Sequence, residues 1–195
     1  MSSRESILKS LKRQLVPQVA LPDVVNGAWI EYPDPIAKFA ETIQFVGGIC
    51  HQVGSIAEIA EKLNGFNEFR TATRIFSGVE GIPGNVSMDN TAEPHDLETL
   101  DFVIYPGQFA VAENGAVWLT DANLKHRVCF FITQFLVLVV QRKNIVHTMH
   151  QAYQIAKPPQ PGFGLFLSGP SKTADIEQSL VIGAHGCREM QVFLI

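Results

Sequence analysis

The stretch VCFFITQFLVLVV, residues 128–140, decides the fold class. Thr133 and Gln134 divide it, and after them every residue of Phe135–Val140 is apolar. A strand with one wet face alternates apolar and polar residues, whereas a parallel sheet covered on both faces asks for an unbroken apolar run. At 13 residues the stretch is too short for a bilayer, which takes about 20. Arg127 on one side and Arg142-Lys143 on the other bound it as buried strand and helix material.

Outward from this run, strands and helices alternate, the rhythm of an α/β sheet. Asp34 as N-cap and Pro35 at the first position open a helix whose stripe is Ile36, Phe39, Ile43 and Val46, ended by Gly47-Gly48. Ile49–Val53 reads as a strand. Ser55-x-x-Glu58 caps a helix with Ile56, Ile59, Ala60 and Leu63 inward, stopped at Asn64-Gly65. The Gly-, Pro- and Asn-rich residues Ser77–Glu98 read as a long loop over the sheet. Asp101–Tyr105, Phe109–Ala112 and Ala116–Leu119 read as strands. A helix follows from Asn144 or Val146 to Ala156. Gly164–Ser168 is a strand, Thr173–Gly183 a helix, and Met190–Ile195 a closing strand. At the amino end, Ser2-x-x-Glu5 is a capping box before Ile7, Leu8, Leu11 and Leu15 on one face, with Pro17 and Pro22 beyond. Residues 1–30 therefore read as a helical arm and connector, and residues 31–195 as the α/β domain.

The chain has 195 residues, which suits one domain, with 46% hydrophobic and 17% charged residues against a typical charged share of about 25%. Disorder is excluded for most of it. The net charge of −4 gives no basic face for nucleic acid, and no run is long enough to be a membrane span. The opening MSSRESILKSLKRQ has no apolar signal core. Three cysteines, Cys50, Cys129 and Cys187, lack CxxC spacing, which fits a reducing, cytoplasmic compartment. Three thiols are also too few for a four-thiolate iron–sulfur cluster.

Several segments offer chemistry. Ser168-Gly169-Pro170-Ser171-Lys172-Thr173 lies between a strand and an expected helix, where free N–H groups and the helix dipole favour an anion; Ser171 or Thr173 as a plain helix cap is the alternative. It is not a Walker P-loop, since Pro170 stands where the lysine belongs, and no GxGxxG occurs. Glu113-Asn114-Gly115 between two apolar runs is a hairpin turn, or a strand end that presents the Glu113 carboxylate as base or nucleophile. His185 and Gly186 sit in the turn before the last strand, where His185 is either a ligand contact or simply solvated. His147-x-x-His150 shares a helix face, but zinc would need a third ligand that the sequence does not offer. His126-Arg127 either flanks an anionic ligand or bounds the apolar run.

These residues carry a resemblance. SGPSKTADIEQSLVIGAHG (Ser168–Gly186), VAENGA (Val111–Ala116) and IVHTMHQAY (Ile145–Tyr153) resemble the lactate utilization protein C family, the LUD-domain group of bacterial proteins. The resemblance implies a NagB/RpiA/CoA-transferase-like α/β fold, a mainly parallel sheet between helices. It also implies a role in oxidising L-lactate to pyruvate, beside partner proteins that carry the iron–sulfur clusters, with no cofactor on this chain. The Glu113 turn is similar to the glutamate loop of class I CoA transferases, with Ala112 where that loop has serine, so acyl transfer through Glu113 is one alternative. A non-catalytic assembly factor docking through the amino-terminal helix is another. Cys187 stands where proline is expected in such relatives, and beside His185 and Arg188 its thiol is expected to have a lowered pKa. The expected pocket for a small anionic ligand or nucleotide gathers Glu113, Asn114, Gly115, Ser168, Gly169, Ser171, Lys172, Thr173, His185 and Gly186, with Glu113 as the catalytic candidate and no metal. A homo-oligomer is left open.

Overall fold

The computed structural model describes residues 2–13, 19–20, 22–23, 27–174 and 180–195. In chain order its elements are α1 (Ser3–Arg13), α2 (Pro35–Phe45), β1 (Ile49–Gln52), α3 (Ile56–Gly65), α4 (Asn67–Thr71) and β2 (Ile75–Ser77). After a long loop come β3 (Phe102–Pro106), β4 (Phe109–Val111), β5 (Ala116–Thr120), α5 (Cys129–Ile132) and β6 (Phe135–Val140). The chain continues through β7 (Ile145–Val146), α6 (Met149–Ile155), β8 (Gly164–Leu167), β9 (Lys172–Ala174), β10 (Leu180–Ile182) and β11 (Glu189–Leu194).

Five strands form a parallel sheet in the order β1-β11-β6-β3-β2. β6 lies at its centre, with Leu136, Leu138 and Val140 in one apolar cluster and Val137 and Val139 in another. That two-sided burial is why its sequence does not alternate. Phe39 and Ile43 of α2 cover the first face, and Ile59 and Leu63 of α3 the second. The caps are those the sequence announces: Asp34 Oδ1 accepts from the Ile36 and Ala37 N–H groups at 3.0 and 2.9 Å, and Ser55 Oγ from the Glu58 N–H at 3.2 Å.

A second sheet, β7-β4-β5-β8, pairs β4, β5 and β8 antiparallel and β7 parallel. Ala110, Val117 and Leu119 turn inward to the α2 cluster, while Phe109, Val111 and Trp118 turn outward beneath Ala152 of α6. The layers therefore run α3, parallel sheet, α2 with the second sheet, then α6. β2, which has no sequence signal, is held from its neighbour: the Asp101 carboxylate accepts from the N–H groups of Thr73 and Arg74 at 2.7 and 2.9 Å.

Three expectations are corrected. Thr173–Gly183 is not a helix at either described end. β9 and β10 pair antiparallel with Thr173 opposite Val181, because Ser171 N–H donates to the Cys187 carbonyl and Gly183 N–H to the Ser171 carbonyl, both at 2.9 Å, and so hold the segment extended. The middle of that expected helix, residues 175–179, lies outside the described residues, as do Leu15 and Pro17 of the arm. The helix expected from Asn144 or Val146 begins at Met149, since Ile145 and Val146 pair with Ala110 and Val111. His147 therefore precedes α6, and the shared helix face with His150 does not exist.

Candidate functional site

The segment after β8 is built from positions that tolerate nothing larger. Gly169 has φ +70°, and a Cβ there would lie 2.6 Å from the Val46 carbonyl oxygen at the end of α2. Lys172 follows and donates from Nζ to that same carbonyl. Its ammonium thus caps the carboxyl end of α2, where the helix dipole is negative. A Cβ on Gly186 would stand 2.9 Å from Ser171 Cβ, so the last turn and the Ser171 turn are pressed together.

Between them lies a cavity of about 300 Å³, lined by Phe130, Phe131, Leu165–Leu167, Ser168–Ser171 and His185–Cys187. It sits at the amino ends of β6 and β11. A more open hollow of about 440 Å³ adjoins it, sharing Phe131, His185 and Gly186 and adding Glu98 and Gln134. The inner cavity thus brings together Ser168, Gly169, Ser171, His185 and Gly186 of the expected site. Its walls are aromatic and aliphatic, its polar groups are two hydroxyls, an imidazole and backbone, and no carboxylate lines it. This chemistry suits a small molecule that is neutral or anionic and has an apolar body. Phe131 and Phe166 were invisible as site residues in the sequence, because only the tertiary fold sets them opposite the glycine turns.

The other expected residues lie elsewhere. Glu113 borders a separate cavity of about 330 Å³ with Lys38, Glu41, Thr42 and Phe45. Its Oε1 accepts the Met149 N–H at 2.8 Å, which satisfies an orphan donor of the first turn of α6. Asn114 Oδ1 accepts the Ala116 N–H at 3.0 Å, and its carbonyl accepts the Ser168 hydroxyl at 2.7 Å, tying the two turns together. Gly115, at φ +69°, lets the turn pass against Thr42 and Ile43 of α2. Thr173 pairs within the β9–β10 hairpin. The helix N-terminus expected to hold an anion at Ser171–Thr173 is a strand instead.

Three other histidines join segments. His147 Nδ1 accepts the Tyr32 N–H at 2.9 Å, and the His150 ring stacks on Trp29 with centroids 3.5 Å apart. His126 Nε2 meets the Thr91 carbonyl at 3.0 Å, and Arg127 lies 3.7 Å from Asp121. Among the described residues, no three His, Cys, Asp or Glu side chains are grouped as metal ligands, and no helix is long and apolar enough to cross a membrane.

The Cys187 expectation is overturned. Its side chain is 3% exposed, and burial pushes the thiol up rather than down. Burial likewise raises Cys50 to about 11 and Cys129 to about 12, from an ordinary value of 9.0. The folded thiols keep protons that the unfolded ones release, so the stability tied to them is intact below about pH 9 and lost as the pH rises toward 12. Urea midpoints across that range are expected to fall with pH, and less steeply for Cys129→Ala.

Comparison with known proteins agrees with this architecture. A 1.70 Å crystal structure of a DUF162 family protein from Deinococcus radiodurans superposes with a TM-score of 0.57 at 22% identity, over 85% of this chain and 99% of that one. Proteins named lactate utilization protein C match part of the sequence: 31% identity over 103 residues in Shouchella clausii, covering 50% of this chain and 45% of that protein. The one from Geobacillus sp. (strain WCH70) is 38% identical over 82 residues, covering 39% and 34%. Each match thus spans less than half of the curated relative's length. The LUD domain model matches residues 60–195, from within α3 to the closing strand and so every strand of both sheets but β1, and with both glycine turns and the Glu113 turn inside that span the chain belongs to the LUD domain family.

Proposed function

We propose that this chain is a component of L-lactate utilisation, the oxidation of L-lactate to pyruvate, acting in the cytoplasm with iron–sulfur partner proteins, and that it holds a small anionic ligand between Phe131, Ser171 and His185. The relatives named lactate utilization protein C support the role. The single observation that supports the ligand site is the inner cavity of about 300 Å³, where Ser168, Gly169, Ser171, His185 and Gly186 converge with no carboxylate to repel an anion. That volume is at the small end of ligand sites, roughly 300–1,000 Å³. Cluster chemistry is assigned to the partners, since three cysteines cannot supply four thiolates. This chain's own part is to bind: the Ser171 hydroxyl and the His185 ring to orient an anion, with Ser168 holding the turn through its bond to the Asn114 carbonyl, and the phenylalanines to exclude water around its apolar body.

Calorimetric titration with L-lactate, pyruvate and inorganic phosphate, each alone, tests the site. At least one is expected to bind, and Gly186→Val, which pushes a larger side chain at Ser171, is expected to weaken it by roughly tenfold or more. No heat from any of the three, or equal affinity in the variant, contradicts the site.

Acyl transfer through Glu113 is the second reading, favoured by the cavity that its carboxylate borders. The bond to Met149 supports a holding role instead. If Glu113 only caps α6, Glu113→Gln keeps an acceptor oxygen and leaves stability and function near wild type. Glu113→Ala then costs about 0.5–2 kcal/mol, the usual loss of a cap. Loss of function in Glu113→Gln with unchanged stability, together with a hydroxylamine-sensitive adduct after acyl-CoA, supports the nucleophile.

A further inference from the structure

α1 has 11 residues, and helices shorter than about 12–15 residues are marginal in water unless something packs on them. Its apolar stripe is uncovered: Ile7, Leu8 and Leu11 are 57%, 47% and 59% exposed. Arg4, Lys9, Lys12 and Arg13 against Glu5 give the helix a charge of +3. The whole chain carries −4, which leaves −7 on all other residues.

The matching surface is on α2. Lys38, Glu41 and Phe45 follow at steps of three and four residues and so share one face. Phe45 is 89% exposed. Glu113 and Thr42 complete the hollow around these three, and Glu41 also borders a second hollow with Gly48 and Ile49. Lys38 is already paired with Glu41 at 3.0 Å, so among the residues lining that hollow Glu113 is the carboxylate with no lysine beside it, while Lys172 is held at the Val46 carbonyl.

We infer that α1 of one chain seats its Ile7, Leu8 and Leu11 stripe over Phe45 on α2 of a second copy, with its basic residues beside Glu41 and Glu113. Made twice about a two-fold axis, this exchange of arms closes on itself as a dimer. It buries the stripe and the ring together, and it sets +3 against an acidic body. An anionic lipid surface would attract α1 but repel that body, which favours the second copy as the occupant. The inference does not rest on the ligand or on lactate, so it stands or falls separately.

Sedimentation equilibrium of the full chain at micromolar concentration is expected to give twice the mass of one chain. Leu8→Asp and Phe45→Asp, both at exposed positions and both checked for folding by circular dichroism, are each expected to weaken the dimer by roughly tenfold or more. Mixing Leu8→Cys chains with Phe45→Cys chains, each in a Cys50→Ser background, is expected to give a disulfide-linked heterodimer. A monomeric wild type, a dimer indifferent to both aspartates, or a Leu8→Cys/Phe45→Cys double variant that closes its disulfide within one chain would overturn the proposal.

Discussion

Leu138→Asp is expected to leave no folded protein. Leu138 is fully buried at the centre of β6, the middle strand of the parallel sheet, and it packs in the cluster that also holds Phe39, Ile43 and Val192. A carboxyl there meets no cation in its cluster and must take up a proton, and an unpaired polar group together with the lost leucine packing costs about as much as a domain's whole stability of about 5–15 kcal/mol. The milder Leu138→Ala keeps the fold readable, with an expected loss of about 2–5 kcal/mol from lost transfer energy and the cavity left behind. Urea denaturation measures it. A loss below about 1 kcal/mol, the range of surface substitutions and slight repacking, contradicts the central placement of β6.

Gly169→Ala is the second large effect. It puts a Cβ at φ +70° and 2.6 Å from the Val46 carbonyl oxygen. The left-handed backbone alone costs about 1–2 kcal/mol for a residue with a side chain. The contact is with backbone, so α2 or the turn itself must move. An expected loss of about 3 kcal/mol corresponds to a fall in Tm of roughly 6–12 °C for a chain of this size. Gly169 also lines the inner cavity, so ligand affinity is expected to fall with stability. Unchanged melting with unchanged binding contradicts the packing of this turn on α2.

The sequence made legible those elements whose cause is local. Asp34-Pro35 and Ser55 cap helices with their own side chains, and Phe135–Val140 shows two-sided burial in its composition alone. β2 escaped because Ile75–Ser77 is three half-buried residues held by Asp101 from a distant segment. Ile145-Val146 and Thr173 carry a helical pattern in the sequence, yet they are strands because pairing with partners remote in sequence outweighs propensity in such short pieces. The site divides the same way. The glycine turns at Gly169 and Gly186 were readable from their residues, and they do share a cavity with Ser171 and His185. Motif alone groups Glu113 with them, yet the β4–β5 turn places it against α6 and beside α2, bordering a separate cavity. Phe131 and Phe166 gave no signal, since a buried phenylalanine and a cavity wall look alike in a sequence.

The reading of the α1 stripe changes in the same way. In sequence it is an arm of undefined destination. The proposed exchange of arms gives its charge and its Ile7, Leu8 and Leu11 stripe a counterpart in Glu41 and Phe45 of a second copy.

Reconstituted L-lactate oxidation tests the central claim most directly. The proposed iron–sulfur partner proteins, once purified, are assayed for pyruvate formation with and without this chain, using the wild type and Gly186→Val. Full activity is expected only when the wild-type chain is added, with Gly186→Val restoring little of it. Full activity from the partners alone would contradict the assignment of this chain to lactate utilisation.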